Sequence, residues 1–263
     1  MQNLKTEVWF ADMLFDSHAH LDDAKFNEDF EEVIEKITSS AIKTVVDVGA
    51  DLESSKKAVE LSEKYPFIYA AVGIHPCDAD TTDIVFDEIK ALATHKKVVA
   101  IGESGLDYYW DSVPRDVQKK SFIRHIELAN ELNLPLIVHD RDAHQDTFDI
   151  LKEYKPKNAI IHCFSASKEM AKEFVKLGYY ISFSGSVTFK NAKNLVEAVK
   201  VVPLDKLLIE TDSPYLCPEP TRGKRNDPTK VEFTARKIAE ILGLSYENVC
   251  ELTYENAKRI YNL

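Results

Sequence analysis

Eight short apolar runs, rich in β-branched residues, recur along this chain of 263 residues, separated by polar stretches that mostly carry helical periodicity. They fall near 13–17, 43–48, 68–73, 98–102, 135–139, 158–162, 179–184 and 207–211. Lys43-Thr44-Val45-Val46-Asp47-Val48 and Val98-Val99-Ala100-Ile101 read as strands buried on both faces, the habit of parallel strands covered by helices. Helical spacing fits 52–64, 83–94, 115–132, 144–154, 167–176 and 190–199. In 115–132, Val117, Phe122, Ile126 and Leu128 recur among charged residues, just after Pro114, a residue suited to a first turn. Eight strands alternating with helices, in a length near the ~250 residues typical of the class, predict a parallel (β/α)8 TIM barrel rather than an open doubly wound sheet. Beyond about residue 228, extra C-terminal helices are expected at 231–242, 246–252 and 255–261. No repeat, low-complexity tract or linker interrupts the pattern, so one domain is expected over 1–263, with 1–12 a short lead-in.

Composition narrows the function classes. The net charge is −11, which argues against a salt-steered coat protein of nucleic acid. It leaves room for an enzyme acting on phosphodiesters in a local pocket, where bound cations reverse the field. Cys77, Cys163, Cys217 and Cys250 form no CxxC pair and no disulfide framework, as expected of a chain in a reducing cytoplasm. No run of about 18 apolar residues predicts a membrane span, and the opening residues lack the apolar core of a signal peptide. No obligate protein partner is evident.

The reactive side chains gather where such barrels keep their active sites, at the C-terminal ends of the strands. In Phe15-Asp16-Ser17-His18-Ala19-His20-Leu21, two histidines stand one residue apart, so an extended strand points both the same way, roughly 6.6 Å apart. His75 follows run three, Glu103 run four, and Asp212 run eight; His139 and His162 close runs five and six. Any one of these alone is an ordinary structural residue. Gathered from six runs at one end of a barrel, they point to metal chemistry, because imidazole with carboxylate suits Zn²⁺, Mn²⁺ or Mg²⁺. A carboxylate bridges two cations through its two oxygens, so Glu103 is the candidate bridge. His18, His20 and Asp212 would then hold one ion, since strands one and eight adjoin in a closed barrel; His139 and His162 would hold the second. Two such ions activate water and stabilise attacking and leaving oxygens, with Asp212 a candidate general base. Arg222, Lys224 and Arg225, in the basic loop after run eight, and Arg141, after His139, are candidate phosphate contacts. Tyr108-Tyr109-Trp110 offers rings that either stack unpaired bases or pack over the mouth.

These stretches, with Gly73-Ile74-His75-Pro76, Gly102-Glu103-Ser104-Gly105-Leu106-Asp107-Tyr108, 118–122, Pro135 through Arg141, His162-Cys163-Phe164-Ser165, Glu210 through Leu216 and Arg222 through Asn226, resemble the TatD family of metal-dependent deoxyribonucleases over about residues 14 to 262. The resemblance implies a metallo-dependent hydrolase barrel cleaving DNA phosphodiesters from a 3′ end. It implies metal ligation by His18, His20, Glu103, His139, His162 and Asp212, and contact of His75 with the scissile phosphate. Ala166 departs from the family's usual glycine without touching a ligand position. The expected function is therefore a two-metal 3′–5′ exodeoxyribonuclease on single-stranded or frayed ends. The alternative is an amidohydrolase-type hydrolase of an amide, ester or lactone, which the same barrel and HxH layout supports; a metal-binding interaction protein without turnover is a third reading.

Overall fold

The computed structural model describes residues 13–110 and 112–263; the expected lead-in at 1–12 lies outside the described residues. The strands are β1 (Leu14–Ala19), β2 (Ile42–Val48), β3 (Ile68–Val72), β4 (Val98–Asp107), β5 (Leu136–Arg141), β6 (Ala159–Ile161), β7 (Tyr180–Phe183) and β8 (Leu207–Ile209). They form one sheet in sequence order, every neighbouring pair parallel. The ring closes at the mouth: Ala19 bridges Ser213, Asp212 N–H donates to the His18 carbonyl at 2.9 Å and His20 N–H to the Ser213 carbonyl at 2.8 Å. Closure thus sets Asp212 beside His18 in β1 and His20 just past its end.

Helices α1 (Phe30–Ser39), α2 (Leu52–Lys64), α3 (Thr82–Leu92), α4 (Arg115–Leu132), α5 (His144–Tyr154), α6 (Lys168–Lys176), α7 (Lys193–Val199) and α8 (Val231–Leu242) alternate with the strands, and α9 (Tyr246–Tyr261) follows. The barrel is the expected one, with three local differences. A helix not anticipated from the sequence, α1, covers β1 and β2 through Val33, Ile34 and Ile37. The segment 231–242 is the eighth helix of the barrel rather than an extra one. The two helices expected at 246–252 and 255–261 are one continuous helix, in which the Thr253 hydroxyl donates to the Val249 carbonyl at 2.8 Å. This α9 lies along the seam between β8 and β1, where a single bridge joins the strands. It adds Ala257, Ile260 and Tyr261 to the interior cluster that includes Phe15, Ile137 and Leu208. Tyr261 stacks on Phe15 at 5.8 Å and donates to the Ser17 carbonyl at 2.8 Å. The opposite, upper end of the interior carries the polar cluster.

Candidate metal centre

Strand β4 runs five residues past the apolar stretch that marks it in the sequence. It can do so because Gly102 (φ +131°) and Gly105 (φ +154°) adopt conformations that L side chains avoid, and a Cβ on Gly105 would sit 2.0 Å from the His139 carbonyl oxygen. With a two-residue repeat, β4 aims Glu103, Gly105 and Asp107 to one face. Glu103 and His139 therefore stand within their strands rather than at the strand ends.

Glu103 is 3% exposed and lies at the centre of the cluster. Its Oε1 is 2.7 Å from His139 Nδ1 and 2.8 Å from His162 Nε2, while its Oε2 is 3.4 Å from His18 Nε2 and 3.6 Å from His20 Nε2. The two carboxylate oxygens thus face different histidine pairs. Asp212 Oδ1 stands 3.5 Å from His20 Nε2 and 3.9 Å from His18 Nε2; its backbone, at φ +55°, takes the left-handed turn that Asp tolerates. All six residues expected as ligands come together.

Two of the outer nitrogens, on His20 and His139, are tied down by hydrogen bonds, while His18 Nδ1 and His162 Nδ1 have no hydrogen-bond partner among the described residues. His20 Nδ1–H donates to the Val48 carbonyl at 2.7 Å, His139 Nε2–H to Asp107 Oδ2 at 2.9 Å, and Glu210 Oε1 stands 3.3 Å from His162 Nδ1. Such outer partners fix the tautomer and leave the inward nitrogen as a lone-pair donor. The inward nitrogens are 3.2 Å apart in the His18–His20 pair and 3.4 Å apart in the His139–His162 pair. A tetrahedral ion with bonds near 2.0–2.1 Å separates two nitrogen ligands by about 3.3 Å. The donor set and spacing fit two divalent cations, one per pair, with Glu103 between them; His18–His20–Glu103 and Glu103–His139–His162 each bring three ligand atoms within 4.8 Å.

Electrostatics lead the same way. Burial alone would raise the Glu103 pKa, but the His162 charge and hydrogen bonds from His139, His162 and His18 hold it well below the usual carboxylate range. Burial opposes charge on His20 as well, yet the Asp212 hydrogen bond and the Glu103 and Asp212 carboxylates raise it to about 10. The buried carboxylates demand positive charge, from protons or from cations. His75 is the contrast. Burial, then the charge of His139, pushes its pKa down to about 3. Its Nδ1 accepts the Cys77 N–H at 3.1 Å, so the neutral ring carries its proton on Nε2, 3.8 Å from Glu103 Oε1.

The cluster floors a cavity of about 830 Å³, lined also by Asp22, Asp51, Asp78, Trp110 and Arg141. Arg141 reaches it; Arg222, Lys224 and Arg225 are not among the residues that line it. Arg225 departs from the phosphate-clamp expectation: its guanidinium forks onto Asp29 at 2.6 and 2.7 Å and donates to the Lys25 carbonyl at 2.7 Å, so three of its five N–H donors are used inside the protein. Arg222 lies 4.1 Å over the Phe189 ring, and Lys224 is exposed. Two contributors were missed in the sequence. Asp107 falls on the Glu103 face by the two-residue period, a signal that was there to use. Glu210, which accepts the Cys163 N–H at 2.7 Å, had no local signal, since its partners follow β6, two strands away in the barrel. No described helix is long and apolar enough to cross a membrane.

Comparison with known proteins agrees with this geometry. The family model described as TatD related DNase matches residues 15–262. A metal-dependent hydrolase of Bacillus subtilis, YabD, named as uncharacterised, is 50% identical over 254 residues, covering 95% of this chain and 100% of its own. The similarly named YcfH of Escherichia coli is 40% identical over 256 residues, covering 95% and 96%. Among solved structures, the E. coli TatD homologue YjjV superposes with a TM-score of 0.90 at 26% identity, covering 97% of this chain and 99% of that one. An organophosphorus hydrolase from Deinococcus radiodurans, at a TM-score of 0.64 and 17% identity, shares the fold.

Proposed function

The chain belongs to the TatD family of metal-dependent hydrolases, and from that premise we propose that it is a deoxyribonuclease that removes nucleotides from single-stranded or frayed 3′ ends of DNA in the cytoplasm, using two divalent cations, Mg²⁺, Mn²⁺ or Zn²⁺. The observation that carries this reading is the division of Glu103, one oxygen toward His18 and His20, the other toward His139 and His162. Cations held there, with Asp212 completing the first pair, supply Lewis acidity toward a phosphoryl oxygen and lower the pKa of an adjacent water.

The protein's own groups do the rest. The buried Asp212 carboxylate, kept ionised by His20 and its neighbours against the effect of burial, accepts the proton of the attacking water. Neutral His75 donates its Nε2–H to a phosphoryl oxygen, where an uncharged donor avoids repulsion from the cations. Arg141, exposed at the cavity edge, binds an adjoining phosphate through its fork. Arg222 and Lys224 would meet phosphates further from the cut. None of the four cysteines forms a disulfide, which suits a reducing compartment.

The test is an oligonucleotide carrying a 3′ or a 5′ block, incubated with each cation, beside a panel of esters, lactones and amides. Stepwise shortening that only the 3′ block stops supports the reading. Turnover of the panel with the oligonucleotide left whole would favour the amidohydrolase alternative. Glu103→Ala should lower activity by about three orders of magnitude or more while circular dichroism stays native; near-normal turnover would remove Glu103 from its role.

A further inference from the structure

Contiguous exposed apolar surface marks binding sites, and at this mouth two adjacent exposed rings, Tyr109 and Trp110, meet, with the exposed Tyr215 elsewhere in the lining. Tyr109 is 55% exposed and Trp110 62%. Their centroids are 5.1 Å apart and their planes meet at 86°, making an open corner. The Arg141 guanidinium lies 3.9 Å over the Tyr109 ring and 5.6 Å from that of Trp110. Arg141 makes no ion pair among the described residues; its neighbour Asp140 accepts from His144 Nδ1 at 2.9 Å. Trp110 and Arg141 line the same cavity as Glu103 and His139.

The corner is rigidly mounted on the metal centre. One oxygen of Asp107 accepts the backbone N–H groups of both Tyr109 and Trp110 at 3.0 Å, while the other holds His139 Nε2. Gln118 clamps the same turn, accepting the Asp107 N–H at 2.8 Å and donating to the Asp107 and Val113 carbonyls at 3.0 and 2.9 Å. Asp22, Asp23, Asp51 and Asp78 line the same cavity. Carboxylates there repel phosphates, which leaves Arg141 as the favourable contact for a nucleic-acid backbone in this lining.

We propose that Tyr109, Trp110 and Arg141 form a stacking subsite for an unpaired nucleobase next to the phosphate being cut. The proposal rests on the nuclease reading above and deepens it: the enzyme grips a base by its π-face, whatever its identity, rather than the backbone alone. A base seated in the corner adds a ring to those already in contact, and the fixed loop lowers the ordering cost of binding. Base–aromatic stacking is sequence-tolerant, so the subsite separates base-bearing from abasic ends without separating A, C, G and T.

The test uses the metal-loaded enzyme and a cut-resistant phosphorothioate oligothymidylate, with or without its last two bases, the abasic form carrying tetrahydrofuran residues. Fluorescence anisotropy gives Kd. Trp110→Ala should weaken binding of the base-bearing strand about 5- to 100-fold, leave the abasic strand unchanged, and be largely rescued by Trp110→Phe. In a Trp9→Phe background, Trp110 is the sole tryptophan, and only the base-bearing strand should quench it. Equal affinity of the wild type for both strands, or of Trp110→Ala and wild type for the base-bearing strand, overturns the subsite while leaving the nuclease reading intact. Failure of the wild type to bind either strand, or to cut their phosphodiester counterparts, overturns both.

Discussion

On the β8 side of the mouth, Arg225 has both arms of its guanidinium on Asp29 and Lys230 reaches Asp227 at 3.0 Å. On the β3–β5 side, Arg141 lies against two exposed rings and pairs with no carboxylate among the described residues. The same residue type is a brace in one place and an open hand in the other. What decides is whether a carboxylate lies within reach. A guanidinium stacked flat on an aromatic ring keeps its hydrogen-bonding edge available for a ligand. The chain carries a net charge of −11, yet the cavity lining includes Arg141, while the loop richest in cations is partly spent on structure.

The comparison can be broken in four ways. The largest effect concerns stability. The β3 side is buttressed by a neutral ring: the Ile74 N–H donates to His125 Nε2 at 3.1 Å while His125 Nδ1–H donates to the Ser121 carbonyl at 2.7 Å. Burial pushes the His125 pKa down to about 4. Between about pH 6.5 and 4 the unfolded chain binds a proton there that the native state does not. Its contribution is therefore complete above pH 6.5 and falls, by up to about 3 kcal/mol, as pH drops to 4. Asp29, held below its ordinary value by Arg225, stays ionised over that window, so the β8 brace adds little slope. Urea unfolding at pH 7 and 4.5 should show wild type losing more stability than His125→Gln; parallel losses would contradict the contrast.

Next is Asp107→Ala, expected to cost about 10- to 100-fold in metal affinity or activity, as loss of a carboxylate behind a histidine ligand does. Asp107→Asn sharpens the point. Its oxygen can still accept the Tyr109 and Trp110 N–H groups, but its amide meets the N–H of His139. Oligonucleotide Kd should recover and turnover should not; recovery of both would show that the His139 contact is idle. Third, Arg141→Ala should raise the KM for DNA about tenfold with kcat little changed, the scale of one charge-assisted contact. Smallest is Arg225→Ala, expected to lower stability by about 1 kcal/mol and to change KM less than about twofold. A larger KM effect for Arg225 than for Arg141 would reverse the comparison.

The barrel was legible in the sequence because its strands are buried on both faces, so runs such as Val45–Val48 and Leu136–Val138 stand out at a glance. The six candidate ligand positions were legible for a related reason: polar residues ending apolar runs are conspicuous, and strand order alone brings them to one mouth. Elsewhere the local signal was spent on distant partners. Helix α1 lacks a side-chain cap because the Asp29 carboxylate goes to Arg225, 196 residues away. The same pair hid the structural role of Arg225. Gly102 and Gly105 look like strand breakers, yet β4 needs them to pass close to Ile137 and His139. The break expected within α9 vanishes because packing along the β8–β1 seam outweighs the local preference of its threonine and tyrosine.

The most direct measurement of the central claim, that Glu103 joins two histidine pairs into one dinuclear centre, is an Mn²⁺ titration followed by electron paramagnetic resonance on wild type and Glu103→Gln. Two ions per chain with a spin-coupled spectrum, and loss of that coupling in the variant, is the result this geometry requires. A single uncoupled ion in the wild type, or coupling that survives the substitution, would contradict it.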